Sequence, residues 1–183
     1  MKIAVLIGSI RRNSYNRMLY NEISKKDLGG IEFYDVDISK LPLFNQDIEE
    51  NAPQEVLDFS RSIRQADGVL FITAEYNYSI PGVLKNAIDW GSRQLGEKKH
   101  PFFEKPVGIM SASMGIFGGV RAQLHLRQVC VFLNTFTMPQ PEFILPSAHE
   151  KFNSNGILID EFSNRMLDKF LSSFIDWVEK FKN

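Results

Sequence analysis

Lys2-Ile3-Ala4-Val5-Leu6-Ile7-Gly8-Ser9-Ile10-Arg11-Arg12-Asn13-Ser14-Tyr15-Asn16 divides into two chemistries. Ile3 to Ile7 are apolar without alternation, so the strand they predict must be covered on both faces. Gly8 to Asn16 then turn polar at the junction with a helix that Ser14 is placed to cap. A strand buried on both faces that runs into a helix is the opening unit of a parallel α/β fold.

The rest of the chain repeats that alternation. Further β-rich runs stand at Ile31 to Val36, Gly68 to Thr73, Pro106 to Ser111 and, more weakly, Asn134 to Met138 with Glu142 to Leu145. Helical patterns lie between them. Tyr15, Met18, Leu19 and Ile23 share one face of a first helix. Pro53 opens a second with Val56, Leu57, Ser60 and Ile63 inward. Val83, Leu84, Ala87 and Ile88 mark a third helix, and Ala122, Leu126, Val129, Cys130 and Leu133 a fourth. Phe162, Met166, Phe170, Phe174, Val178 and Phe181 give the last helix a stripe that covers one sheet face. Ser39 to Ala52, Gln94 to Lys105 and Pro139 to Gly156 read as surface connections. The expectation is one doubly wound, three-layer α/β domain over residues 1–183 with about five parallel strands.

Composition narrows the function classes. The 183 residues carry 21 Lys+Arg against 22 Asp+Glu, a net charge of -1, so no whole-molecule field attracts a nucleic acid or an anionic membrane. With 44% hydrophobic residues and 15 Phe, the chain has enough apolar surface to fold. Its single Cys asks for no oxidising compartment, and the apolar run at Ile3 is far shorter than the ~20 residues of a membrane span. The cytoplasm is the expected home. Asn77-Tyr78-Ser79 matches a glycosylation acceptor by chance in such a setting.

Doubly wound folds bind ligands outside the carboxyl ends of their strands, which directs attention to three loops. In the first, Ser9, Arg11, Ser14 and Asn16 join the free N–H groups of a helix start, the chemistry of a phosphate cradle. Capping alone explains Ser14 and not the others. The loop lacks both GxGxxG and GxxxxGK[ST], which argues against a dinucleotide pyrophosphate seat and a nucleoside triphosphatase, and suggests a single phosphomonoester such as that of FMN. In the second, Ala74 to Gly82 (AEYNYSIPG), two tyrosines beside Pro-Gly form an aromatic rim for a flat ring. In the third, Ser111 to Gly119 (SASMGIFGG), the glycines let backbone N–H groups near a helix start approach an electron-rich ring edge.

Other candidates carry less. His100, His125 and His149 have no second ligand at metal spacing, so no metal is expected. Cys130 lies on an apolar helix face and reads as a buried, inert thiol. No GxSxG nucleophile elbow occurs, and Lys98-Lys99-His100 is a solvated basic patch.

The segments GSIRRNSYN, EYNYSIPGVLKNAIDW and SASMGIFGGVRAQLHLRQ, in this order, resemble the signature segments of the NADPH-dependent FMN reductase family, from about Lys2 to Leu145. The resemblance implies a flavodoxin-like sandwich with strand order 2-1-3-4-5 and tightly but non-covalently held FMN. NADPH or NADH would be the donor, and a flavin, quinone, chromate or azo compound the acceptor. It assigns Ser9, Arg11, Ser14, Tyr15 and Asn16 to the FMN phosphate. Glu75, Tyr76 and Asn77 then border the isoalloxazine, and Ser111, Ser113, Gly115 and Gly118 its other edge. Flavin N5 carries the chemistry, so no protein residue is named catalytic. Ala74 stands where the family usually has Pro, which frees a φ angle. Leu124 stands where relatives can place a Tyr that bridges subunits with an Arg and a Glu, here Arg121 and Glu142. That change weakens the case for a homotetramer and leaves a homodimer, expected through helices three and four with Trp90 and Leu124.

Overall fold

A computed structural model describes residues 1–182. In chain order its strands are β1 (Lys2–Ile7), β2 (Glu32–Asp35), β3 (Gly68–Thr73), β4 (Pro106–Ala112), β5 (Phe136–Thr137) and β6 (Phe143–Leu145). The helices are α1 (Tyr15–Ser24), α2 (Gln54–Gln65), α3 (Gly82–Gly91), α4 (Val120–Phe132), α5 (Ala148–Lys151) and α6 (Glu161–Glu179). The strands form one sheet in the order β2-β1-β3-β4-β5, with β6 also on β4, and every pairing is parallel. This is the flavodoxin-like architecture.

The fifth position of the sheet is filled by two short pieces. β5 pairs with Pro106 and Val107, and β6 with Met110 to Ala112. Pro139 and Pro141 lie between them and supply no N–H, so the ladder cannot run through.

Successive β1 residues serve opposite cores, as a strand's period requires. Ile3, Val5 and Ile7 pack with Leu19 and Ile23 of α1 and with Leu167, Phe170, Leu171 and Phe174 of α6. Ala4 and Leu6 pack with Phe59 and Ile63 of α2, Leu84, Ala87 and Ile88 of α3, Leu126 and Cys130 of α4, and Leu133 just after it. Burying each large side chain contributes about 1.5–3 kcal/mol. Burial pushes the Cys130 thiol up from its ordinary pKa.

Some inward positions differ from the periodicity. Phe59, not Leu57, is buried in α2. Phe162, in the first turn of α6, is 62% exposed, while Leu167 and Leu171 complete the stripe. The connections are also less superficial than their composition suggests. Phe102 is fully buried against Phe71. The segment around Pro42 is fastened to α3: its carbonyl accepts from Trp90 Nε1 (2.8 Å) and Asn86 Nδ2 (2.9 Å). Trp90 itself is fully buried. No helix among the described residues is long and apolar enough to cross a membrane.

Packing at the end of α3 is tight enough to test. A Cβ added at Gly91 would lie 2.2 Å from Cε2 of the buried Phe102. Gly91→Ala is expected to lower stability by about 1–3 kcal/mol, read as a lower urea midpoint with an unchanged slope. An unmoved midpoint would show that this contact is slack.

Candidate active site

The parallel register brings three loops to one level. Ile7 pairs with Ile72, and Thr73 with Ser111, so the loops after β1, β3 and β4 leave the same end of the sheet together. Their side chains then tie them to one another.

In the first loop, Ser9 is buried, and its Oγ lies 3.2 Å from the Tyr76 hydroxyl and accepts from Arg11 N at 3.4 Å. Ser14 caps α1 by accepting from Arg17 N at 3.1 Å, as its position predicts. The amides of Tyr15 and Asn16, in the first turn, have no acceptor within the helix and carry its positive end. Arg11 is exposed, with its guanidinium 5.8 Å from the Tyr15 ring. Asn16 takes another role than the one expected of it. Its Oδ1 accepts from Ala112 N (3.0 Å) and its Nδ2 donates to Ala112 O (3.2 Å), so the buried amide joins the first loop to the third.

The second loop turns sharply at Asn77 and Tyr78, whose φ angles are 53° and 65°. Tyr76 and Ser79 exchange two backbone hydrogen bonds of 3.0 Å around them, the geometry of a tight hairpin turn with two left-handed residues. A left-handed Tyr costs about 1–3 kcal/mol. The Arg121 guanidinium offsets part of that, being held 4.1 Å from the Tyr78 ring and 4.3 Å from the Phe117 ring.

Glu75 is committed to α4. Its Oε2 accepts from the amides of Arg121 (3.0 Å) and Ala122 (3.2 Å), and its Oε1 lies 3.4 Å from Arg121 Nη1. Gly119, the residue before the helix, offers no side chain to cap it, so Glu75 supplies the cap from another loop. The amides of Gly118 and Val120 bond to Gly115 O and Phe117 O. The first-turn amides of α4 are therefore satisfied within the protein.

Two third-loop residues also work from inside. Ser111 is fully buried, donates to Gly118 O at 2.6 Å and accepts from Gln123 Nε2 at 2.8 Å. Gly118 has φ +59°, and a Cβ there would lie 2.5 Å from Ile144 Cγ2, so the turn against β6 requires glycine. Ser113 and Gly115 remain at the surface the loop presents. A Cβ at Gly115 would meet only Ser113 Oγ, at 3.6 Å, and packing does not explain that glycine.

Between the loops lies a cleft of about 430 Å³, within the range of small-molecule sites. Ser9, Arg11, Ser14, Tyr15, Asn16, Glu75, Tyr76, Ser113 and Gly115 line it, with Ala74, Ala112 and Met114. Asn77, Ser111 and Gly118 stand outside that lining. Met114, 61% exposed, was not expected as a wall, and only its place among the glycines of the third loop pointed there. The first loop offers hydroxyls, a guanidinium and the first turn of α1; the second and third loops bring Tyr76, Ser113, Met114 and Gly115. The donor set fits a phosphomonoester joined to a planar ring, as in FMN. Among the described residues no three His, Cys, Asp or Glu side chains converge as a metal site.

Comparison with known proteins agrees with this geometry. The family model for NADPH-dependent FMN reductase matches residues 1–150. A 2-hydroxy-1,4-benzoquinone reductase of Burkholderia is 39% identical over 178 residues, covering 97% of this chain and 96% of that protein. An NAD(P)H:quinone oxidoreductase of Solanum tuberosum is 45% identical over 174 residues, 91% of this chain and 87% of its own. Among solved structures, the flavoenzyme NAD(P)H:(acceptor) oxidoreductase FerB of Paracoccus denitrificans superposes with a TM-score of 0.89 at 36% identity, over 98% of both chains. The chain belongs to the NADPH-dependent FMN reductase family of flavodoxin-like oxidoreductases.

Proposed function

We propose that this chain holds FMN in the three-loop cleft and passes electrons from NADPH or NADH to a flat acceptor, donor and acceptor using the same open face in turn. The observation that carries the reading is a single cleft that joins Ser9, Arg11, Ser14 and the first turn of α1 to Tyr76, Ser113 and Gly115 of the two neighbouring loops. When bound, FMN supplies the hydride acceptance and electron release that no side chain of the chain offers. Ser9 and Ser14 hydroxyls, the Arg11 guanidinium and the Tyr15 and Asn16 amides hold the phosphate, and the positive end of α1 favours its charge. Tyr76 and Gly115 flank the ring end of the cleft, and the Glu75 and Asn16 ties keep the walls in place. The names of the relatives support a quinone as acceptor; a flavin, chromate or an azo compound meets the same face. The site works in the cytoplasm.

The protein acts as a homodimer in this reading, through the α3–α4 side. Trp90, expected at that contact, is buried and unavailable. Leu124 (53% exposed), Val131 (80%) and Phe132 (77%) are the apolar residues that α4 presents there. Arg121 is paired with Glu75 and Glu142 with Arg127 (3.5 Å) in the same chain, which supports a dimer over a tetramer bridged by those residues. Sedimentation is expected to give a dimer for the wild type and a monomer for Phe132→Glu; a wild type monomeric at micromolar concentration would contradict the interface.

The reading is tested by colour. The purified protein, supplied with FMN, is expected to be yellow and to bleach promptly with NADPH in the absence of oxygen. A yellow protein that neither NADPH nor NADH bleaches would be an electron carrier, and a protein that takes up no FMN would end the flavin reading. Arg11→Ala combined with Ser14→Ala is expected to weaken FMN binding by on the order of a hundredfold, since each removes a hydrogen bond to a charged group. Unchanged FMN affinity by flavin fluorescence would overturn the cradle.

A further inference from the structure

A second groove, of about 270 Å³, lies on the other side of the first loop, beyond the carboxyl ends of β1 and β2. Ser9 and Arg11 line both the groove and the cleft, so the two adjoin across that loop. Its floor includes the buried Val36 and Ile38, with the exposed Ile10 at its edge. Carboxylates and guanidinia both face it, and sorting their partners leaves an excess of positive charge. Asp35 is paired with Arg17. Asp37 accepts from Ser39 N (2.9 Å) and Ser39 Oγ (2.6 Å), and Lys40 stands 3.7 Å away. Those Ser39 hydrogen bonds hold the Asp37 carboxyl below its ordinary pKa, so it is ionised at neutral pH and is balanced by Lys40. Arg11 and Arg12 make no ion pair among the described residues.

We propose that this groove receives the adenosine end of the nicotinamide donor, with Arg12 as the residue that recognises the 2′-phosphate of NADPH. The inference rests on the reading of the chain as a nicotinamide-dependent reductase and adds a donor preference to it. A donor whose nicotinamide lies on the open face of the cleft crosses the first loop to reach the groove. Its base meets the apolar floor there, and its 2′-phosphate meets a guanidinium that no carboxylate among the described residues neutralises. Guanidinium suits a phosphate better than ammonium because its fork can make two parallel hydrogen bonds. NADH presents only an uncharged 2′-hydroxyl to Arg12, and NADPH is the favoured donor.

The test separates the groove from the reductase reading. Adenosine 2′,5′-bisphosphate and adenosine 5′-monophosphate are titrated calorimetrically into the FMN-loaded wild type and into Arg12→Ala. The bisphosphate is expected to bind the wild type about tenfold more tightly, and the margin to vanish in Arg12→Ala while FMN content stays the same. In turnover, the ratio of kcat/KM for NADPH to that for NADH falls about tenfold in the variant, with Arg12→Lys in between. Equal binding of the two nucleotides by the wild type, or a margin that survives Arg12→Ala, overturns the proposal. So does a loss of FMN in the variant that matches the loss of bisphosphate binding, which would give the groove to the FMN phosphate. The titrations need no turnover, so they judge the groove even where anaerobic bleaching fails and the reductase reading falls.

Discussion

Two hydrogen bonds between the Asn16 side chain and the backbone N–H and C=O of Ala112, 3.0 and 3.2 Å long, hold the first loop against the third. The site depends on them. Each loop is set at its base by parallel ladder bonds, but beyond the last paired residue a loop is free to splay. Asn16 removes that freedom by satisfying both backbone polar groups of one buried residue, Ala112. Losing it would leave a buried donor and acceptor without partners, at about 1–3 kcal/mol each. Glu75 does the same between the second loop and α4, and Tyr76 meets Ser9 across the first and second loops. The cleft is thereby closed on three sides by contacts within the protein, before any ligand enters.

These ties also divide the electrostatics of the site. Two helices begin at the cleft, and their positive ends would both attract an anion. Glu75 neutralises α4, while Ser14 satisfies only Arg17 of α1 by side chain, leaving the first-turn amides of α1 open. In the proposed reading the phosphate therefore goes to the α1 end, and the ring lies beside Tyr76 and Gly115. Arg121, held between two aromatic rings and paired with Glu75, adds its charge to the scaffold and not to the cleft.

The unbroken apolar runs IAVLI and VLFIT made the parallel sheet legible, because a strand without alternation has two faces to cover. Ser14 was legible as a cap from its position. Most of the cleft lining was also legible, since loops at one end of such a sheet must share a surface. The uses of individual polar groups were not. Asn16 reads as a ligand contact, yet its partner lies 96 positions away in sequence. Ser111, Glu75 and Gly118 are of the residue types that bind ligands, and each acts inside the loops. Their pairing is a property of how β1, β3 and β4 align, which no local pattern encodes. Phe102 and Trp90 escaped for a related reason: they sit in or near a polar connection, and only the packed neighbour shows that each is core. The two prolines that split the last sheet position explain why its strand signal was weak.

The most direct test of this account is an experimental structure of the protein with FMN bound. It should place the phosphate within hydrogen-bond distance of Ser9 Oγ, Arg11 and the first-turn amides of α1, with the ring beside Tyr76 and Gly115. The Asn16–Ala112 and Glu75–α4 hydrogen bonds should remain as they are. A phosphate bound away from α1, or an Asn16 amide released from Ala112 to reach it, would contradict the account.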